Sequence, residues 1–292
     1  MHTRNFKHYI HLHFLVFIAG FTAILGELIS ISSIPLVWHR MLIASVLTLI
    51  YLIATKNKIS IDFKTFLKFS IPGIIIALHW ITFFEAIEQS NISITLAMFS
   101  TAAFFTSFIE PLFFRRKIIY YEIIMGLLVI AGVYLITMAE LLYINGIILG
   151  ILSALFSSFF SVLNGKLVKK YSSVTISFYE FLTGVIFITL YLLIYKSFSS
   201  IYIENIFSLD YLYLFILGSV CTAYAFIASV SLMKYLTPFT VVLTYNLEPV
   251  YGIILAILLF PNQEKMSFMF YLGAILILTT IIINAFIKYR KN

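Results

Sequence analysis

Again and again the chain runs for about twenty residues with scarcely a charge, and no other feature limits its fold so tightly. Ten apolar segments can be marked, at 11–31, 35–54, 67–88, 91–113, 119–138, 146–165, 174–195, 210–233, 237–260 and 267–287. A helix rises about 1.5 Å per residue, so roughly 20 apolar residues cross a hydrocarbon core of about 30 Å. Within lipid every backbone amide needs a partner inside the chain, and segments of this length meet that need as helices. The sequence therefore predicts an all-α polytopic membrane protein of ten transmembrane helices. Its 62% hydrophobic and 11% charged residues exclude a soluble domain, for which about a quarter charged is usual. The longest connections, 55–66 and 196–209, leave no space for a soluble domain between spans. The run Leu12 to Ile31 lacks a small-x-small cleavage site after it and reads as a retained first helix. A single cysteine, Cys221, excludes an intrachain disulfide.

The net charge of +7 is a topology signal, not a nucleic-acid footprint. Of 19 lysines and arginines, 16 fall on alternate connections. They are Arg4 and Lys7, then Lys56, Lys58, Lys64 and Lys68, then Arg115, Arg116 and Lys117. Lys166, Lys169, Lys170, Lys234, Lys288, Arg290 and Lys291 complete the set. Lys196 and Lys265 lie opposite, with the acids Glu88, Glu140, Glu204, Asp210 and Glu264. The positive-inside rule then puts both termini in the cytoplasm of a cell, an inner membrane being the expected home.

The segment from Thr237 to Phe260 contains Tyr245-Asn246-Leu247-Glu248-Pro249 near its middle. A carboxylate at the midplane costs roughly 2.5–3.5 kcal/mol on insertion scales, so Glu248 is expected to face protein or a wet cavity. Pro249 has no N–H for the carbonyl of Tyr245 and frees a polar group at the same depth. Either this is a proline kink with Glu248 bonded to a neighbouring helix, or the segment lines a central pathway.

Segments 3 and 4 lie over segments 8 and 9 at an offset of 146. Ala77 to Ile81 matches Ala223 to Ile227, Glu85 to Asn91 matches Ser231 to Thr237, and Leu112 to Phe114 matches Leu258 to Phe260. Segment 2 lies over segment 7 at an offset of 140, with Arg40 on Glu180. These matches predict two five-helix repeats, 1–140 and 141–292. An odd helix number makes them inverted in the membrane, an arrangement that in transporters places a site at the midplane. Glu110-Pro111 is no copy of Glu248-Pro249, because the register puts Ala102-Ala103 there. Glu110 is expected to pair locally with Arg115 or Arg116.

On these residues the chain resembles the EamA branch of the drug/metabolite transporter superfamily. The resemblance is carried by Phe84-Glu-Ala-Ile-Glu-Gln-Ser-Asn-Ile-Ser93, by Leu247-Glu248-Pro249 within Ala228 to Phe260, and by Pro35-Leu-Val-Trp-His-Arg40. It departs from the family where Ala103 replaces a common proline and Arg115-Arg116 a Gly-Glu pair. The resemblance implies ten helices and the export or exchange of small metabolites, amino acids and related compounds among them.

Ionisable residues inside the spans are the candidates for chemistry: Glu27, His39, Arg40, His79, Glu85, Glu180 and Glu248. Arg40 enters from the outer side, near the outer ends carrying Glu27 and Glu85, and an ion-pair cluster there is possible. Glu180, equally deep from the other face, is too distant to pair with it. Alternatively the Arg40 guanidinium binds a carboxylate or phosphate of a solute through two parallel bonds. His79 reads as a packing residue or a proton-linked switch. Trp38, Trp80, Phe99, Tyr179, Tyr224 and Tyr245 are candidate walls of a solute pathway. His8, His11 and His13 lack accompanying ligands and read as interfacial anchors rather than a metal site; no cofactor is indicated.

These readings favour a secondary transporter of a small-molecule solute working by alternating access near Glu248, Tyr245, Asn246, His79 and Arg40. No Walker A motif is present to energise it. An integral-membrane enzyme is the alternative, without a Gly-x-Ser-x-Gly or His-Glu-x-x-His motif to support it. A non-transporting subunit of a larger membrane complex is a third reading, which leaves buried Glu248 and Arg40 unexplained.

Overall fold

The computed structural model describes residues 2–56, 59–115, 117, 120–195, 198–203 and 208–291. Of the charged residues that bear on topology, Lys58, Arg116, Lys196 and Glu204 lie outside the described residues, as do the side chains of Arg4, Lys288, Arg290 and Lys291.

Every regular element among the described residues is helical. The first half comprises α1 (His2–Leu28), α2 (Ser33–Ala54), α3 (Phe63–Glu88), α4 (Ile92–Phe99), α5 (Ala102–Phe114) and α6 (Tyr120–Ala139). The second comprises α7 (Ile144–Leu167), α8 (Ser173–Ile194), α9 (Leu209–Gly218), α10 (Ala225–Leu232), α11 (Pro238–Tyr245), α12 (Glu248–Leu259) and α13 (Phe268–Lys291). Eight helical stretches of 22–27 residues are long and apolar enough to cross a membrane, and two shorter apolar helices, Ile124–Ala139 and Phe268–Thr280, accompany them. Large side chains such as Ile50, Leu127, Ile194 and Leu258 point outward, as expected where lipid is the solvent.

Side-chain caps start several helices. Asp62 accepts from the Thr65 amide at the head of α3, and the Thr65 hydroxyl holds its carboxyl below the usual range. Asn91 accepts from the Ile94 amide before α4, and the Thr237 hydroxyl from the Thr240 amide before α11.

Two apolar segments that the sequence predicts as continuous spans are instead broken. Segment 4 stops at Phe99 and restarts at Ala102 as α5. There the Ser100 and Thr101 hydroxyls bond back to the carbonyls of Leu96 and Met98 at 3.1 and 2.7 Å, competing with the helical ladder. Ser158 of α7 donates to the Ala102 carbonyl at 2.7 Å, satisfying one backbone acceptor at the break from within the protein. Segment 9 stops at Tyr245 and restarts at Glu248. Pro249 therefore sits in the first turn of α12, where its missing N–H is not needed, rather than kinking one long helix. A third irregularity is a π-helical turn, Ser219–Tyr224, that joins α9 to α10.

The two breaks meet. Asn246 Nδ2 donates to the Ser100 carbonyl at 2.9 Å, so α4–α5 and α11–α12 cross where each is interrupted. Their far ends are tied as well. Glu264, in the connection after α12, accepts from the Ile92 and Ser93 amides at the head of α4 at 3.0 and 2.9 Å. Glu110 of α5, expected to pair locally with Arg115 or Arg116, accepts from the Phe239 amide at the head of α11 at 2.8 Å, a partner 129 residues away. Each carboxylate lies against the positive end of a helix.

Around this cross, α3 packs on α7 and α8, α2 on α8 and α9, and α1 on α12, while α6 and α13 pair at the side. The α3–α8 contact is backbone to backbone: a Cβ placed on Gly73 would lie 2.6 Å from the Glu180 carbonyl oxygen. Small residues at such crossings are how helices approach closely in lipid.

Candidate functional site

Beside the crossing lies a cavity of about 110 Å³ whose walls come from α1, α2, α3, α4, α5, α7, the π-helical turn, α10, α11 and α12. One water needs roughly 10–15 Å³ on this measure, so the space holds several waters or part of a small solute. Six aromatic side chains, Trp80, Phe83, Phe99, Phe160, Phe226 and Tyr245, form part of the wall. Trp80 stacks near Phe181 and meets Phe226 edge-on, Phe160 leans on Phe226, and Phe99 lies parallel to the His79 ring at 5.4 Å.

Two ionisable side chains, one basic and one acidic, enter this chamber. Arg40, 3% exposed, donates from Nε to the Thr222 hydroxyl at 2.5 Å and from Nη2 to the Cys221 carbonyl at 3.4 Å. Its guanidinium carbon lies 4.0 Å from the centroid of the Trp80 ring. Nη1 is buried without a hydrogen-bond partner. The π-helical turn makes this possible. Thr222 donates five residues back to the Leu217 carbonyl at 2.6 Å, and its oxygen can then accept from Arg40. Glu248 opens α12 and lines the same cavity, 5% exposed. An ionisable group this deep marks a functional position by default.

The remaining expected residues fall into two sets. Trp80, Phe99, Tyr245, Asn246 and His79 line the cavity with Arg40 and Glu248. Tyr245 is tied through its hydroxyl to Ser229 of α10 at 2.5 Å. Because a carbonyl oxygen can only accept, His79 Nδ1–H donates to the Ser153 carbonyl at 3.0 Å, and the Ser153 hydroxyl lies 2.8 Å from the same nitrogen and 3.1 Å from the His79 carbonyl. Tyr224 lies elsewhere. It is 46% exposed on the outside of the bundle and bonds to His11 at 3.0 Å. Trp38 and Tyr179 also turn away, to Thr189 and to the Ile59 carbonyl.

The ion pair of Arg40 with Glu27 or Glu85 is replaced by other contacts. Glu85 accepts from the Ser33 hydroxyl at 2.5 Å and from Gln89 at 2.7 Å. Glu27 is partly exposed near the end of α1. His39 bonds to the Ile201 carbonyl at 2.9 Å. Glu180 is fully buried, taking a 3.3 Å bond from Asn164 while its other oxygen is unpaired.

The walls include residues that the sequence reading passed over, notably Phe83, Phe160, Phe226, Ser157, Ser161 and Ser229. For the serines a signal existed: Ser153, Ser157 and Ser161 recur every four residues and so share one face of α7. The phenylalanines are indistinguishable from those facing lipid.

The EamA-like transporter family matches residues 8–138 and 144–286, once in each half. The chain belongs to the EamA-like transporter family. It is thereby a multi-pass membrane protein of the drug/metabolite transporter superfamily, and Glu248 of its Leu247-Glu248-Pro249 stretch lines the cavity. No curated protein matches the sequence. Among solved structures, a crystal structure 13% identical superposes with a TM-score of 0.67 over 94% of this chain and 95% of the other. Its likeness is one of fold.

Proposed function

We propose that this EamA protein is a secondary transporter, an exporter or exchanger that carries small metabolites such as amino acids across the cytoplasmic (inner) membrane by alternating access. Ten helices form two inverted repeats, 1–140 and 141–292, with both termini cytoplasmic. Arg40 and Glu248 hold the polar ends of a solute, Trp80, Phe99 and Tyr245 wall its body, and His79 and Asn246 complete the pathway. Pro249 sets the start of α12, and Glu27, His39, Glu85 and Glu180 have structural or coupling roles.

One observation carries the reading: the bond from Asn246 to Ser100 joins positions 146 apart beside the buried Arg40 and Glu248. The same spacing relates the caps Asn91 and Thr237. Two discontinuous helices crossing at matched positions beside buried charge are what a midplane transport site is built from.

Solute flux into proteoliposomes, screened over a mixed metabolite pool with and without a pH gradient, tests this. Saturable flux that Glu248→Gln abolishes while the variant stays folded is the expected result. Normal flux in the variant removes Glu248 from the pathway, and the absence of flux for every pool member under every gradient overturns the transporter reading.

A further inference from the structure

A second concave site, sharing no lining residue with the first, lies at one end of the bundle. It is an open pocket of about 550 Å³ lined by Val168, Lys169, Lys170, Tyr171, Ser172 and Lys234. The tail of α7, the turn into α8 and the residues after α10 converge on it. The lining holds three exposed lysines and no carboxylate. Lys169 is held over the Phe114 ring at 4.7 Å, and Lys166 beside it approaches the same ring at 6.0 Å.

Ser172 of this pocket is the N-cap of the 22-residue α8, its hydroxyl makes no capping bond, and the first turn has no acidic residue. The matched place in the other half is built differently. Ser33 opens α2 and lies 140 residues before Ser173, which opens α8. Its hydroxyl donates to Glu85, and its amide donates to Glu88. At the offset of 146, Glu85 and Glu88 become Ser231 and Lys234. Where the first half supplies two carboxylates to a helix N-terminus, the second supplies a lysine and gathers two more around it. The comparison between halves rests on the repeat reading; the pocket and its lysines do not.

We propose that this pocket binds a phosphate group, that of an acidic phospholipid headgroup. Three lysines, the Ser172 hydroxyl and a helix N-terminus without a carboxylate form a donor set for such an anion. The pocket sits where α7 and α10 end and α8 begins, on the lysine-rich face, the level at which lipid phosphates lie. Basic pockets between transmembrane helices on that face are suited to anionic headgroups.

Native mass spectrometry of the full chain, with phosphatidylglycerol or phosphatidylcholine added, reads this directly. One phosphatidylglycerol is expected to remain bound where phosphatidylcholine does not. Each of Lys169→Gln, Lys170→Gln and Lys234→Gln is expected to weaken binding roughly five-fold, and added salt to weaken it further. Lys234→Glu, which copies Glu88 of the first half, is expected to abolish it. A parallel titration with inorganic phosphate distinguishes the source of the anion. Phosphate binding without phosphatidylglycerol binding overturns the lipid assignment. Equal retention of the two lipids, or undiminished phosphatidylglycerol binding in folded glutamine variants, overturns the site. The readout is independent of solute flux, so it stands apart from the transporter reading.

Discussion

Arg40 shows what a membrane sequence reveals about a residue and what it hides. A guanidinium inside an apolar span is visible at once, but its partners are not. The expected carboxylates Glu27 and Glu85 are nearest by depth, yet the structure gives Arg40 the Trp80 ring, the Thr222 hydroxyl and the Cys221 carbonyl. Those acceptors exist because Ser219–Tyr224 winds as a π-helix, and nothing in the periodicity of an all-apolar segment announces a π turn. That Arg40 would be buried was legible; rotation about the helix axis was not, and Tyr224 was misplaced for the same reason. The arrangement leads to a prediction about Arg40→Lys. Lysine keeps the charge but loses the planar fork and the stacking face. With charge-assisted bonds worth about 1.5–3 kcal/mol, KM for the transported solute is expected to rise at least about ten-fold. Flux measured against solute concentration, beside a thermal melt of the same sample, checks it. A fall in stability with KM unchanged would make Arg40 a packing residue.

At the scale of elements, the starts of segments 4 and 9 were legible and the breaks within them were not. Asn91 and Thr237 announce helix starts, and the structure has both. Pro249 also gave a signal, although it opens a new helix rather than bending an old one. The break at Ser100-Thr101 has no proline or glycine; two hydroxyls achieve it, with help from Ser158 of α7, a contact that no local pattern contains. Glycines are similar, since their spacing says that something packs closely without saying what. Gly73 and Gly184 both lie at the α3–α8 contact or near it, yet alanine is expected to be costly only at the first. A Cβ on Gly73 meets the Glu180 carbonyl oxygen at 2.6 Å and its Cα at 2.9 Å, and helix backbone cannot step aside. On Gly184 it meets the flexible end of Met41. Gly73→Ala is therefore expected to destabilise by about 1–3 kcal/mol, the range for overpacking. Gly184→Ala is expected to have the smaller effect in a detergent-solubilised thermal melt. Equal melting shifts would show that the α3–α8 contact yields.

Across the whole molecule, the repeated apolar runs made the all-helical, membrane-spanning organisation readable, because a backbone in lipid must satisfy its hydrogen bonds within the chain. The cross-half ties were unreadable, since each joins residues more than a hundred positions apart. They bear on how a transporter of this construction must move. Glu264 grips the head of α4 at one end of the crossed helices, and Glu110 grips the head of α11 at the other. If the halves rock, opening toward one face strains one grip and leaves the other intact. Replacing either carboxylate by an amide keeps the shape and removes the charge that each helix N-terminus favours. A single cysteine at Ser157, in the cavity wall, with Cys221→Ala removing the native thiol, reports which face the cavity opens to. In sealed, oriented vesicles Glu264→Gln is expected to raise labelling by an impermeant thiol reagent from the outer side. Glu110→Gln is expected to raise it from the lysine-rich side. Opposite shifts require two gates sharing one cavity, since a static pore or a lipid-filled crevice responds to both substitutions alike. Shifts in the same direction would separate the two carboxylates from gating and leave them as helix caps.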